Sequence, residues 1–337
     1  MQVNTVSYEL DKLKSNGIEL SMAELVQVKN LSDMLSLAPK HKAASQMAGA
    51  ERSLFKGRGM EFDEARHYQP GDDIRSIDWR VTARTGKTHT KIFREERERP
   101  IFVFLDVSAS MHFGTQLLFK SVQAAHVAAL ICWAGVARGD KLGGIVFNDT
   151  QDIECKPRAQ TKNALHFLQS VVSLQNRSVT EALSNAATVE RGSNAHTGGA
   201  AFLNALQRMH YLAKPGSLIH LISDCEHLSD EHLALLGDLS RHCEVQVSVI
   251  RDPFELALPP TPNTQILSVT DGSQRGTVIL GESAQAQRYQ RQQRDRLTTL
   301  KNALNANGIF PRVVTAGIAL EKQLSGNKRA YELGEAI

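Results

Sequence analysis

Residues 102–113 read FVFLDVSASMHF: an apolar run that stops at Asp106 and continues with serines at 108 and 110. A short, uninterrupted apolar segment rich in Val and Phe reads as a strand buried on both faces, the pattern of a parallel sheet. A turn closing such a strand needs no carboxylate followed by two alternating hydroxyls. Oxygens at alternate positions converge on one point, so the strand end reads as a binding site.

The flanking sequence fits that reading. From residue 100 the chain alternates strand and helix. PIFVFLD, KLGGIVFND, GSLIHLISD, CEVQVSVIRD and IFPRVVT are apolar strands, and QDIECKP pairs beside the second. Helical runs cover 117–137, 161–174, 200–212 and 229–242, and 282–306 forms a polar helix closed by Asn307-Gly308. Residues 253–281, rich in Pro and Thr, read as loop plus hairpin. The expected fold is α/β, a Rossmann-like, mostly parallel sheet flanked by helices.

Ligands of open α/β sheets gather beyond the carboxyl ends of the strands. Asp224 ends LIHLISD as Asp106 ends FVFLD, and Thr197 opens the helix after a loop containing Gly192, with Gly198 and Gly199 following. Ser193 is a rival to Thr197. Two carboxylates and three hydroxyls make an all-oxygen, low-charge donor set suited to a small hard cation. Mg²⁺ comes first, with Mn²⁺ or Ca²⁺ as alternatives.

The segments DVSAS, HTGGAAFLNAL and LISDCEH resemble, in order, the metal-ion-dependent adhesion site of von Willebrand factor type A domains. The resemblance implies that Asp106, Ser108, Ser110 and Thr197 ligate the metal, that Asp224 acts through water, and that a partner's acidic side chain fills an open position. Cys225 stands where many members of that family carry glycine.

Before the sheet, residues 57–100 read GRGMEFDEARHYQPGDDIRSIDWRVTARTGKTHTKIFREERERP. Glu61-Phe62, Arg66, Tyr68, Gly71-Asp72-Asp73, Arg75, Ile77-Asp78-Trp79 and Ala83-Arg84 resemble the signature of domain-of-unknown-function family 58, whose members carry a von Willebrand A-like domain. The resemblance implies a MoxR-type AAA+ ATPase as partner and chaperone-like maturation or assembly of client proteins. Read from the residues alone, Pro70-Gly71 predicts a type II turn. Alternation of Ile77, Trp79 and Val81 predicts a strand, with Trp79 as a core anchor. The segment's arginines predict an internal network of ion pairs with its acids. The sharper alternative makes Arg66, Arg75, Arg80 and Arg84 a docking surface, which requires several to be exposed and unpaired.

The expected organisation is a helical arm over 1–50, opened by a Ser21–Glu24 capping box, a charged β-rich segment over 51–99, and the α/β domain over 100–337. The chain has 337 residues and a formal net charge of +3, without a long basic block, which gives no argument for nucleic acid. Neither a membrane-spanning apolar run nor a secretory leader is expected, and four scattered cysteines read as reduced thiols of a cytoplasmic protein. His220, His227, His232 and Cys225 fit no zinc spacing, so the imidazoles are expected on strand and helix surfaces. There is no phosphate-binding Gly-rich loop with Lys, so the chain is not expected to be the ATPase. The functional expectation is a non-enzymatic, metal-dependent protein-binding adaptor. The alternative is a metal-dependent phosphatase or phosphotransferase using Asp106, against which stands Ser108 where such enzymes place a second aspartate.

Overall fold

Strand Ile101–Asp106 is buried at every position and lies in the middle of a six-stranded sheet. The computed structural model describes residues 2–35, 37, 60–95, 99–187, 197–261, 263–270 and 275–325. The chain divides into two units: Met1–Ala43 with Arg99–Ile337, and Ala44–Glu98.

The larger unit opens with helices α1 (Gln2–Leu13) and α2 (Met22–Gln27), the latter running into a 3₁₀ turn over Val28–Met34. In the smaller unit, β1 (Met60–His67) and β2 (His89–Glu95) pair antiparallel around helix α3 (Trp79–Thr85). The α/β part then runs β3 (Ile101–Asp106), α4 (Lys120–Arg138), β4 (Leu142–Phe147), β5 (Asp152–Arg158), α5 (Thr161–Ala187), α6 (Thr197–Leu212), β6 (Leu218–Ser223), α7 (Asp230–His242), β7 (Glu244–Arg251), α8 (Pro253–Leu256), the β8 (Gln265–Thr270) and β9 (Arg275–Leu280) hairpin, α9 (Ser283–Ala306), β10 (Arg312–Thr315) and α10 (Leu320–Ser325). The sheet order is β10-β7-β6-β3-β4-β5, parallel throughout except for β5, which runs antiparallel to β4. Successive strands first step outward in one direction from β3 and then in the other. The order therefore reverses between β3 and β6, the crevice where open sheets bind ligands.

The apolar run of β3 builds both layers because side chains of a strand alternate between faces. Ile101, Val103 and Leu105 join a core with α4, α5 and the N-terminal arm, while Phe102 and Phe104 join one with α6, α7 and α9. On the second face the rings of Phe104, Phe147 and Phe202 meet at 4.8–5.4 Å. Gly144 of β4 is required by close approach: a Cβ there would strike the Val103 carbonyl and the Phe167 ring. Helix α5 extends past the expected end at Leu174 because no Gly or Pro stops it before Gly192.

The arm is part of the larger unit's core. Leu20, Leu25 and Val28 are buried against α4. The Ser21–Glu24 capping box forms as expected, and the same Glu24 receives a 2.6 Å contact from His126 Nε2, both side chains being 1% exposed. Trp133 Nε1 donates to the Leu25 carbonyl at 2.8 Å, and Lys29 sits 5.7 Å from its ring. All four cysteines are buried free thiols, as expected. Among the described residues no helix is long and apolar enough to cross a membrane.

In the smaller unit, the expected turn forms: Asp72 N donates to the Gln69 carbonyl at 3.0 Å, and Gly71 takes a φ of +105°. The strand expected over 77–81 does not. Ile77 makes one isolated bridge to Thr90. Asp78 then caps α3, its carboxylate accepting from the N–H groups of Arg80 and Val81, and Gly86 closes the helix at a φ of +70°. A capped turn outcompetes a two-residue alternation too short to be held by a sheet. Trp79 is accordingly 68% exposed, not a core anchor.

We expect Glu24→Ala to cost about 1–3 kcal/mol, because it strands the buried His126 ring, whose Nδ1 has no partner among the described residues. Glu24→Gln, which still accepts, should cost less. Urea unfolding checks both; equal and negligible losses would show that the arm is not fastened here.

Candidate metal centre at the sheet crossover

Because β3 pairs with β6 in register, with Leu105 beside Ile222, Asp106 and Ser223 come to the same level, and Asp224 follows one residue on. Both carboxylates are nearly inaccessible, Asp106 at 2% and Asp224 at 1%. The sequence expected them on one edge; pairing of the strands brings them together.

Their surroundings differ. Asp106 Oδ1 accepts from Ser108 N at 2.9 Å and Oδ2 from the Ser223 hydroxyl at 2.7 Å. Among the described residues no ammonium or guanidinium pairs with it. Burial pushes its carboxyl up, the Asp224 charge adds to this, and the serine donors pull back only partly, leaving it at about 6. Asp224 receives Lys120 Nζ on Oδ2 at 2.9 Å and Glu226 N on Oδ1 at 3.1 Å. Burial alone would raise this carboxyl too, but the Lys120 ammonium and the neighbouring donors, Glu226 N among them, together hold Asp224 below the usual range.

The Ser108 and Ser110 hydroxyls lie 3.3 Å apart. The loop they occupy is pinned by Ala109 N, which donates to Asp149 at 2.8 Å. Thr197 is the first residue of α6, but its side chain lies outside the described residues, as does Ser193. Cys225 has a φ of +59°. It holds the left-handed conformation that glycine would take without strain, at a typical cost of about 1–3 kcal/mol. Its N–H donates to Ser223 Oγ at 3.0 Å, which helps fix the serine on Asp106.

Several members of the cluster escaped the sequence reading. Lys120 bridges Asp224 and Glu255, with Nζ 2.5 Å from Glu255 Oε1, although its own side chain is 2% exposed. Glu255 belongs to α8, which Asp252 caps while also accepting from Thr115 N and Oγ1. Arg251 pairs with Glu226 alongside. One signal was available for Lys120: it heads a helix with no other Asp, Glu, Lys or Arg before Arg138. Ser223 was visible as the residue before Asp224, but nothing in the sequence aims it at Asp106.

Among the described residues no group of three or more His, Cys, Asp and Glu side chains forms a metal cage. The donor set here is of another kind, two carboxylates and serine hydroxyls. A buried carboxylate without a cation is the feature that fits a hard ion. Among the described residues these histidines join no group of three or more His, Cys, Asp and Glu side chains, and they are not all on surfaces. His220 is buried in β6, and His232 is buried between Ser229 and the Gly199 carbonyl. Only His227 of the three is exposed.

Among the described residues the arginines of the smaller unit form only one pair of the expected network. Arg66 pairs with Asp72 at 2.7 Å, but Asp73 and Asp78 accept from backbone N–H groups, and the second oxygen of Asp78 lies 3.9 Å from Lys91 Nζ. Arg75, Arg80 and Arg84 are exposed, with no ion pair among the described residues. The side chains of Glu61 and Glu64 lie outside the described residues.

Comparison with known proteins completes the picture. Residues 64–299 match the model of a family described as protein of unknown function DUF58. The chain belongs to this family. An uncharacterized protein of Mycobacterium bovis, and uncharacterized proteins of two Mycobacterium tuberculosis strains, are each 33% identical to it over 140 residues, 42% of this chain and 44% of theirs. The match thus spans less than half of those relatives' length. Among solved structures, this DUF58 chain is similar to an aerotolerance-related membrane protein from Bacteroides fragilis (18% identity, 68% of this chain and 100% of that one, TM-score 0.35). It is also similar to a von Willebrand factor type A protein from Catenulispora acidiphila (13%, 48% and 35%, 0.29) and to a manganese-loaded Plasmodium vivax TRAP protein (15%, 45% and 56%, 0.25). Scores at this level carry no functional argument.

His220 gives the unit a predictable acid response. Burial holds its imidazole down at about 3, against 6.5 when free. The unfolded chain therefore takes up this proton first, and stability falls with pH from about 6.5 towards 3. Melting temperatures at pH 7 and pH 5 should drop less in His220→Leu than in wild type; an identical drop would mean that His220 does not carry this response.

Proposed function

We propose that this DUF58 chain is a non-enzymatic, protein-binding adaptor whose recognition site holds one divalent cation at the crossover between β3 and β6. The observation that carries it is Asp106: a carboxylate sealed at a strand end, bonded by neutral donors and, among the described residues, facing no cation. Asp106, Ser108 and Ser110 would hold the ion, with Thr197 completing the set from the start of α6 and Asp224 acting at longer range through water. Mg²⁺ suits so few protein ligands, since it keeps several waters. The ion supplies an electrophilic open position for a carboxylate of a client protein.

The smaller unit supplies the second recognition surface in this reading. Arg75, Arg80 and Arg84 lie with Trp79 and Ile74 on or next to one short capped helix, all exposed. Exposed Trp and Arg are the residue types that dominate binding hot spots. The partner we assign is a MoxR-type AAA+ ATPase, on the resemblance of the signature over residues 57–100, and the work is chaperone-like maturation or assembly of clients in the cytoplasm.

Titration calorimetry with Mg²⁺ or Mn²⁺ should give one site in wild type and none in Asp106→Ala at matched folding. Turnover of a generic phosphoester with Mg²⁺, abolished by the same substitution, would replace the adaptor with a phosphotransferase. In pulldown with a co-expressed MoxR-type ATPase, Trp79→Ala combined with Arg80→Glu should lower recovery at least fivefold. Undiminished recovery would remove this surface from the interface.

A further inference from the structure

Lys120 has no role in the donor set above, yet its ammonium is the most enclosed cation of the cluster. It reaches Asp224 Oδ2 at 2.9 Å and Glu255 Oε1 at 2.5 Å with its side chain 2% exposed. Stability is a weak explanation for it. Burying an ammonium costs several kcal/mol, and well-packed apolar replacements of buried ion pairs are often neutral or stabilising. The apolar alternative was close at hand, because the residues around Lys120 on α4 are buried with little charge.

Charge counting supplies a better account. Asp106, Asp224 and Glu255 are three carboxylates against the one ammonium of Lys120, while Arg251 pairs with Glu226. Asp252, buried behind Glu255, adds a further carboxylate. Lys120 thus offsets part of a cluster that stays net negative and open to a cation. The lysine also occupies one oxygen of Asp224, while Glu226 N occupies the other. That leaves Asp106 as the strand-end carboxylate with no cation among the described residues.

We propose that Lys120 is the fixed internal counter-ion of this site, lowering its negative charge and keeping the hold on a divalent ion weak enough for an acidic partner to add to it. The proposal rests on the metal-site reading above and concerns affinity and charge preference, not whether a site exists. Lys120 is a positioning residue: it acts on the ion through Asp224 and through its own charge. Glu255 works in the opposite sense, since it draws part of the ammonium's field away from Asp224.

The two opposite signs make the test. Calorimetry with Mn²⁺ and luminescence with Tb³⁺ are run on the full chain as wild type, Lys120→Met, Glu255→Gln and Asp106→Ala, with circular dichroism and melting as checks on folding. Lys120→Met should bind Mn²⁺ at least tenfold tighter and gain still more for Tb³⁺. Glu255→Gln keeps a side-chain acceptor for its helix cap and should bind Mn²⁺ several-fold more weakly. A structural role alone would weaken binding in both variants. Unchanged or weaker Mn²⁺ binding in folded Lys120→Met overturns the proposal. If that variant does not fold, Glu255→Gln decides, and unchanged or tighter binding there overturns it. Asp106→Ala separates the two levels: wild-type binding that survives this substitution sinks the site itself, whereas loss in Asp106→Ala with no response at Lys120 sinks only the counter-ion. Silence of wild type and Lys120→Met alike sinks both, and binding gained only by Lys120→Met supports the counter-ion.

Discussion

Two carboxylates held out of water at adjoining strand ends are the constraint around which the crossover is built. An isolated charge in such a place is strongly disfavoured, so each needs compensation from nearby groups. Asp106 receives a backbone N–H and the hydroxyl of Ser223, both neutral. Asp224 receives a full ammonium. Equivalent strand ends therefore have opposite electrostatic characters, one carboxyl raised and the other lowered. In the proposed reading, the raised one would seat an incoming cation and the lowered one would help to frame it.

That arrangement depends on how firmly α4 is held. This helix starts at Lys120 and is buried over nearly its whole length, with β3 on one side and the N-terminal arm on another. A helix so enclosed needs its polar groups satisfied, and the arm does part of this. Glu24 meets His126, and the Leu25 carbonyl accepts from Trp133. At the other end, Asp252 ties the approach to α4 through Thr115 and caps the helix that presents Glu255. The ends of Lys120's reach are thus fixed by two independent sets of contacts. Pre-organisation of this kind keeps a charge where its field matters.

Much of the fold was legible because parallel-sheet physics writes itself plainly. A strand buried on both faces must be apolar without alternation, as FVFL is, and helices between such strands carry caps and stops that can be read locally. Where the reading failed, a local rule met a stronger one. Ile77, Trp79 and Val81 alternate like a strand, yet Asp78 caps a helix through two N–H groups and turns Trp79 outward. Arginines and acids mixed in one segment suggested mutual pairing, but Asp73 and Asp78 were already engaged by backbone. Cys225 looked like a departure in loop shape, and the backbone kept the glycine-like conformation with a thiol in it.

The sequence by itself determined the order of strands and helices, the two aspartates that end apolar strands, and the paired serines of the 106–110 loop. These follow from local periodicity and from the rule that oxygens clustered at a strand end face the open edge of a sheet. Only the tertiary structure decided which aspartate meets a cation and which meets hydroxyls. Lys120 and Asp224 are 104 residues apart, Lys120 and Glu255 135. Their meeting is set by the stacking of α4 and α8 on the crossover, and no local pattern encodes an electrostatic field that distant side chains create together.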